Sequence, residues 1–264
     1  MPAPSAAGRP AAFAFLDHPP LAFAHRGGAG EWPENTMPAF AGAVALGYRH
    51  VETDAHVTRD GVVLAFHDDA LDRVTDRVGV IAELDYDEVR GALVDGREPI
   101  PLLEDLLGAW PDLYVNIDPK RDEVVDPLAH LLERMGVVDR VCIGSFSDLR
   151  LARLRARLGP ALCTSLGPID TARVKAACVE DGAPVDDLPA PCLQVPAAVG
   201  ETVLVDERFV EVAHDHGLQV HVWTIDDAYQ MRALLDLGVD GLMTDRPAVL
   251  KDVLLERDAW RGAP

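Results

Sequence analysis

Glu52 and Asp54 stand two residues apart in the run Val51-Glu52-Thr53-Asp54-Ala55-His56. In an extended strand that spacing turns both carboxylates to one face. Two acids facing the same way repel unless a cation lies between them. A divalent metal ion is the simplest candidate, and a buried Arg or Lys from a neighbouring strand is the plain alternative. Asp118, in Asp118-Pro119-Lys120 at the end of another apolar run, adds a third carboxylate and a fixed positive charge. An all-oxygen set of this kind suits one hard divalent cation, Mg²⁺ or Ca²⁺. Such an ion polarises a phosphoryl oxygen and acidifies a coordinated hydroxyl. His25, which ends Leu21-Ala22-Phe23-Ala24, and His67, which follows Val62-Val63-Leu64-Ala65-Phe66, titrate near neutral pH. They are the candidates for general acid and base. With a dication present, Arg26 and Lys120 leave the group net positive, so it could hold a phosphodiester.

These residues must be held at one level by the elements that carry them. Short β-rich apolar runs begin near residues 21, 50, 114, 141, 161, 192, 219 and 241. Between them, apolar residues at helical spacing, with capping residues at one or both ends, predict helices over 36–47, 123–136, 147–159, 171–182, 206–217 and 226–238. Eight strands alternating with helices predict an α/β fold, a (β/α)8 TIM barrel, whose active site forms at the C-terminal strand ends. An open doubly wound sheet shares much of the pattern. The step from residue 50 to residue 114 is far longer than the others, which places a small insertion after strand two, about residues 58–101. It opens as a hairpin return, with Thr58-Arg59-Asp60-Gly61 as the turn, and continues as an irregular stretch. Without repeat, linker or low-complexity tract, residues 1–264 read as one barrel domain.

The 44 acidic residues against 24 basic ones give a formal charge of −20, which disfavours nucleic acid and anionic membrane surfaces. A small-molecule substrate is the expected partner, with no nucleic acid and no stable membrane association. No run approaches the length of a spanning helix, and residues 1–10 lead into no sustained apolar segment, so the expected location is cytoplasmic. Cys142, Cys163, Cys178 and Cys192 lack metal-ligand spacing and read as buried free thiols rather than a zinc site or disulfide framework.

Taken in order, the motifs resemble those of the glycerophosphodiester phosphodiesterases. They are His25-Arg26-Gly27, Pro33-Glu34-Asn35-Thr36, Glu52-Thr53-Asp54, Thr58-Arg59-Asp60-Gly61 and His67-Asp68, then Ile117-Asp118-Pro119-Lys120, Ser145-Phe146, Trp223-Thr224 and Thr244-Asp245-Arg246-Pro247. The resemblance runs from His25 to about Leu250. It implies a TIM barrel with a small insertion, and metal-dependent hydrolysis of glycerophosphodiesters to sn-glycerol 3-phosphate and an alcohol. It further implies Glu52, Asp54 and Asp118 as metal ligands, His25 and His67 as the catalytic pair, and Arg26 and Lys120 as phosphate contacts. Two positions depart from the family pattern. Asp118 stands where Glu is commoner, which draws the carboxylate back by about 1.5 Å. Asp226 stands where Asn is commoner, and either residue caps a helix.

Glu34 reads as a helix-cap residue or, by the resemblance, as a neighbour of the site, and Trp223 as a pocket wall or a packed core residue. His56 shares the face of Glu52 and Asp54 but reads as an exposed ladder position. His18, His50, His130, His214 and His216 read as surface or cap residues. Rival functions are a lysophospholipase D or sphingomyelinase D-like phosphodiesterase on the same barrel, and a non-catalytic phosphodiester binder.

Overall fold

The computed structural model describes residues 13–179 and 185–262. Eight parallel strands form the barrel: β1 (Leu21–Ala24), β2 (His50–Val57), β3 (Tyr114–Pro119), β4 (Val141–Ile143), β5 (Cys163–Thr164), β6 (Cys192–Pro196), β7 (Gln219–Trp223) and β8 (Gly241–Thr244). They pair in the order β5-β4-β3-β2-β1-β8-β7-β6. The seam between β5 and β6 closes through one parallel bridge, Ser165 with Cys192. The protein is thus a TIM barrel. Every residue of β2 is buried, as a strand covered on both faces requires. Its register with β3 sets Glu52 beside Asn116 and Asp54 beside Asp118.

Helices α1 (Met37–Ala45), α2 (Leu103–Ala109), α3 (Val125–Met135), α4 (Asp148–Leu158), α5 (Pro168–Val179), α6 (Glu207–Asp215), α7 (Ala228–Asp236) and α8 (Pro247–Glu256) surround the strands. Thr36, Ser147 and Asp206 cap α1, α4 and α6 through their side chains. The Thr36 hydroxyl accepts from Ala39 N at 3.4 Å, so Thr36→Ala is expected to lower unfolding stability by about 1 kcal/mol in a urea titration.

Several expectations need correction. Helix α7 is capped by Asp227, not Asp226; Asp226 instead accepts from the Thr244 hydroxyl and Asp245 N, at 2.9 and 2.7 Å. Helix α5 begins at Pro168, three residues before Thr171, and its expected end at Gly182 lies outside the described residues. His50 is buried, because its ring stacks on Tyr114 at 4.9 Å and its Nε2 meets the Phe15 carbonyl at 2.9 Å. His56 is buried too, with Nε2 3.0 Å from the His67 carbonyl.

The insertion is more than an irregular stretch. Leu64, Phe66, Leu71, Ile81, Val89, Ala92, Val94 and Ile100 pack into a core of their own beside the hairpin strand Val63–Ala65, which runs antiparallel to β2. That subcore fixes the segment carrying His67. Inside the barrel, Phe15, Phe23 and Met243 gather with Cys142, Cys163 and Cys192 in a cluster of their own, and Met243 also reaches the cavity.

Candidate active site

The site begins where β1 ends, at the tight turn His25–Gly27. Arg26, Gly27 and Gly28 all have positive φ, at 51°, 81° and 109°. Gly27 is required twice over. Its φ favours glycine, and a Cβ there would lie 2.8 Å from Ala39 Cβ, in the path of α1. The turn aims the Arg26 backbone N–H at Glu52 Oε2, 3.0 Å away, and sets His25 Nε2 3.7 Å from the same oxygen. His25 Nδ1 lies 2.6 Å from Asp245 Oδ1. Burial works against its protonation, but the charges of Glu52 and Asp245 prevail and raise its pKa. His67, at the end of the hairpin return, has the same arrangement: its Nδ1 is 2.5 Å from Asp68 Oδ1. Each imidazole therefore has a carboxylate behind one nitrogen, which fixes the orientation of the ring.

Between the histidines lie the three acids. Asp54, almost fully buried, accepts from Asn35 Nδ2 at 2.9 Å and meets Lys120 Nζ at 2.6 Å and Arg26 Nε at 3.4 Å. Burial opposes its ionisation, yet Lys120 and then Arg26 keep its pKa low. Lys120 also donates to Asp118 Oδ2 at 2.7 Å, whereas the buried Asp118 Oδ1 has no hydrogen-bond partner. Burial raises the Asp118 pKa despite Lys120. Burial and then the charge of Asp54 push Glu52 up to about 7. The lysine thus lies where the ion-pair alternative would put a cation, but it leaves one carboxylate oxygen unmet and Glu52 poorly compensated. Oxygen donors alone, with one buried oxygen orphaned, fit a hard divalent cation.

Glu34 stands behind Arg26 and accepts from Arg26 Nη1 at 3.0 Å and from Arg73 Nη1 and Nη2 at 2.9 and 2.7 Å. Arg73, in the insertion, also donates from Nε to Asp68 Oδ2 at 2.5 Å. Burial would raise Asp68, but Arg73 and then His67 bring its pKa down to about 2. One chain of charges therefore links Arg26 to His67 across the mouth of the barrel.

His25, Arg26, Glu52, Asp54, His67, Asp118, Lys120 and Trp223 all line one cavity of about 680 Å³. Glu34 and His56 are not part of its lining. Trp223 meets Phe146 edge to face at 5.6 Å. Sequence reasoning missed Asn35, Asp68, Arg73 and Asp245 as partners of the site. Asp68 and Asp245 stood inside quoted motifs, whereas nothing in the spacing singles out Arg73.

A family model described as the Glycerophosphoryl diester phosphodiesterase family matches residues 25–249. The chain belongs to this family. Among its relatives is a Mycobacterium tuberculosis protein named probable glycerophosphodiester phosphodiesterase 2, 39% identical over 249 residues, 92% of this chain and 94% of that one. A lysophospholipase D of Mus musculus is 29% identical, with 87% of this chain and 84% of that one covered. A phosphodiesterase from Oleispira antarctica, solved in complex with the product sn-glycerol-3-phosphate, superposes with a TM-score of 0.76 at 23% identity over 91% of this chain and 98% of that one. The protein is thus a glycerophosphodiester phosphodiesterase by family, and its cavity lies where a TIM barrel carries its active site.

Proposed function

We propose that this phosphodiesterase cleaves glycerophosphodiesters to sn-glycerol 3-phosphate and an alcohol, with His25 and His67 as the proton carriers. The observation that carries the reading is two imidazoles, each backed by a carboxylate, opening into the same cavity as three acids and two cations. Arg26 and Lys120 bind the phosphate and meet the charge that grows on its oxygens as phosphorus is attacked. His67 takes the proton of the attacking hydroxyl, and His25, its charged form favoured by Asp245, gives a proton to the departing alkoxide as the P–O bond breaks. The same pair serves whether that hydroxyl belongs to water or to the glycerol 2-position. Glu52, Asp54 and Asp118 would hold a hard divalent cation such as Mg²⁺ or Ca²⁺, which when bound polarises a phosphoryl oxygen and acidifies a hydroxyl. Release of sn-glycerol 3-phosphate from glycerophosphocholine and glycerophosphoethanolamine tests the reading, using chelator-treated protein with each ion restored in turn. Turnover that returns with either ion is expected; none with either would sink it.

One observation favours a wider substrate range. Besides its polar groups, the cavity is lined by Leu166, Pro168, Ala172, Ala176, Val179 and Leu204, with Thr171 and Lys175 interleaved among those of α5. Val179 and Phe146, both on the cavity, are 82% and 68% exposed. A glycerophosphodiester has nothing to bury there, whereas the acyl chain of a lysophospholipid does. The resemblance to a lysophospholipase D agrees with this. Ala172→Trp would fill the space beside these apolar side chains, and we expect it to lower kcat/KM on lysophosphatidylcholine about 10-fold, the effect of losing roughly 1.4 kcal/mol of apolar contact. Glycerophosphocholine turnover should be unchanged. Equal losses on both substrates would refute the acyl-chain assignment.

A further inference from the structure

Cys142, Cys163 and Cys192 lie on the consecutive strands β4, β5 and β6, and their sulfur atoms all fall within 4.8 Å of one another. Cys142 and Cys163 are in register across β4 and β5, and Cys192 makes the bridge that closes the seam. All three are free thiols, no more than 1% exposed. Thiolate ligands at about 2.3 Å from one ion stand roughly 3.8 Å apart, so this spacing suits three sulfurs around one centre.

A second observation comes from His221 on β7, which is 0% exposed. Gln219 Nε2 donates to the Leu16 carbonyl at 2.9 Å, which orients the amide so that its Oε1 is the acceptor 3.1 Å from His221 Nε2. The proton of the ring therefore belongs on Nε2. His221 Nδ1 is left with a bare lone pair, buried and without a partner. A ring nitrogen held this way, its opposite N–H anchored on a carbonyl, is the arrangement of a metal-binding histidine. The ring borders the cluster: β7 pairs with β6, the strand of Cys192, and the His221 ring lies 5.2 Å from that of Phe23, which packs with the three cysteines. Gln194 Nε2, which also donates to Asn116 on the cavity, points at Cys142 Sγ from 3.9 Å.

We propose that Cys142, Cys163 and Cys192, with His221 beside them, form a second metal site inside the barrel that takes a thiophilic closed-shell cation, Zn²⁺ or Cu⁺. The three sulfurs suffice for Cu⁺; no nitrogen of His221 belongs to the set of mutually close ligand atoms, so Zn²⁺ requires the ring to move in as its fourth ligand. The site differs from the carboxylate set in donor chemistry and so selects a different ion. Binding releases the thiol protons, including the one Cys192 directs at the Thr164 carbonyl at 3.6 Å. Because these side chains are sealed from solvent, the ion enters while the chain folds.

The full chain would be refolded from denaturant under reducing, anaerobic conditions with Zn²⁺, Cu⁺ or Co²⁺, then desalted and its metal content measured. We expect about one retained equivalent of Zn²⁺ or Cu⁺, a thiolate-to-metal charge-transfer band with Co²⁺, and a higher Tm than the metal-free protein. Cys192→Ala and Cys163→Ala should lose the band and the metal-dependent rise in Tm, whereas Asp118→Asn should keep both. Should either cysteine variant fail to refold, alkylation of wild type supplies the second measurement: on unfolding in denaturant, the bound ion should slow modification of three of the four cysteines. Retention without a charge-transfer band, abolished by Asp118→Asn, would put the ion at the carboxylates and overturn the proposal. No retention of any of the three ions would overturn it as well.

Discussion

The His25→Ala and His67→Ala proteins are each expected to lose about 10²- to 10⁴-fold in kcat, with little change in KM. Both rings face the cavity and neither lies in the packed core, so circular dichroism and Tm should stay near wild type. The two losses should then part company on a substrate with a good leaving group. A nitrophenolate departs without a proton, so His25→Ala should recover most of its rate on a nitrophenyl phosphodiester. His67→Ala should stay slow, because the attacking hydroxyl still has to be deprotonated. Recovery in the opposite variant would reverse the assignment of acid and base. Wild-type turnover in both would remove the histidines from the mechanism.

A loss of similar size is expected at the acids. Asp54 is the hub on which Lys120, Arg26 and Asn35 converge. Asp54→Asn keeps its shape while removing the charge. Losing about 4 kcal/mol of transition-state stabilisation corresponds to roughly 10³-fold in kcat/KM. Glu52→Gln should behave in the same way. Calorimetric titration with Mg²⁺ or Ca²⁺ provides the independent reading, since both variants should bind the ion weakly or not at all. A variant with undiminished ion affinity but lost turnover would mean that the carboxylates serve the phosphate-binding cations and not the metal.

The legible part of this protein was the part carried by periodicity and chain order. The strand starts were readable because each strand is a short apolar run between helices with marked ends. The pairing of Asp54 with Asp118 followed once β2 and β3 were neighbours. Helix α8 was passed over because it follows β8 after two residues, so Pro247 reads as part of a loop rather than the first turn. Helix α2, over Leu103–Ala109, is too short to show a period. His50 was misjudged because nothing local announces that residues 13–16 fold under the barrel to cover it. Arg73 lies 39 residues from Glu34, and only the packing of the insertion brings them together. The spacing of the cysteines along the chain does not show that the barrel brings three of them together from consecutive strands.

That placement falls on the thinnest line of the cylinder. β2 and β3 run in register from His50 and Tyr114 to Ala55 and Pro119, whereas β5 and β6 share one bridge and a Leu166 N–H to Cys192 carbonyl bond of 2.8 Å. Opening of the wall should therefore start there, and deuterium should reach the Leu166 amide ahead of those in β2. An ion held by Cys163 and Cys192 would rivet the two margins together. It would turn a sheet curled into a near-ring into a closed hoop, and exchange at the seam would then slow toward the rate of the other staves.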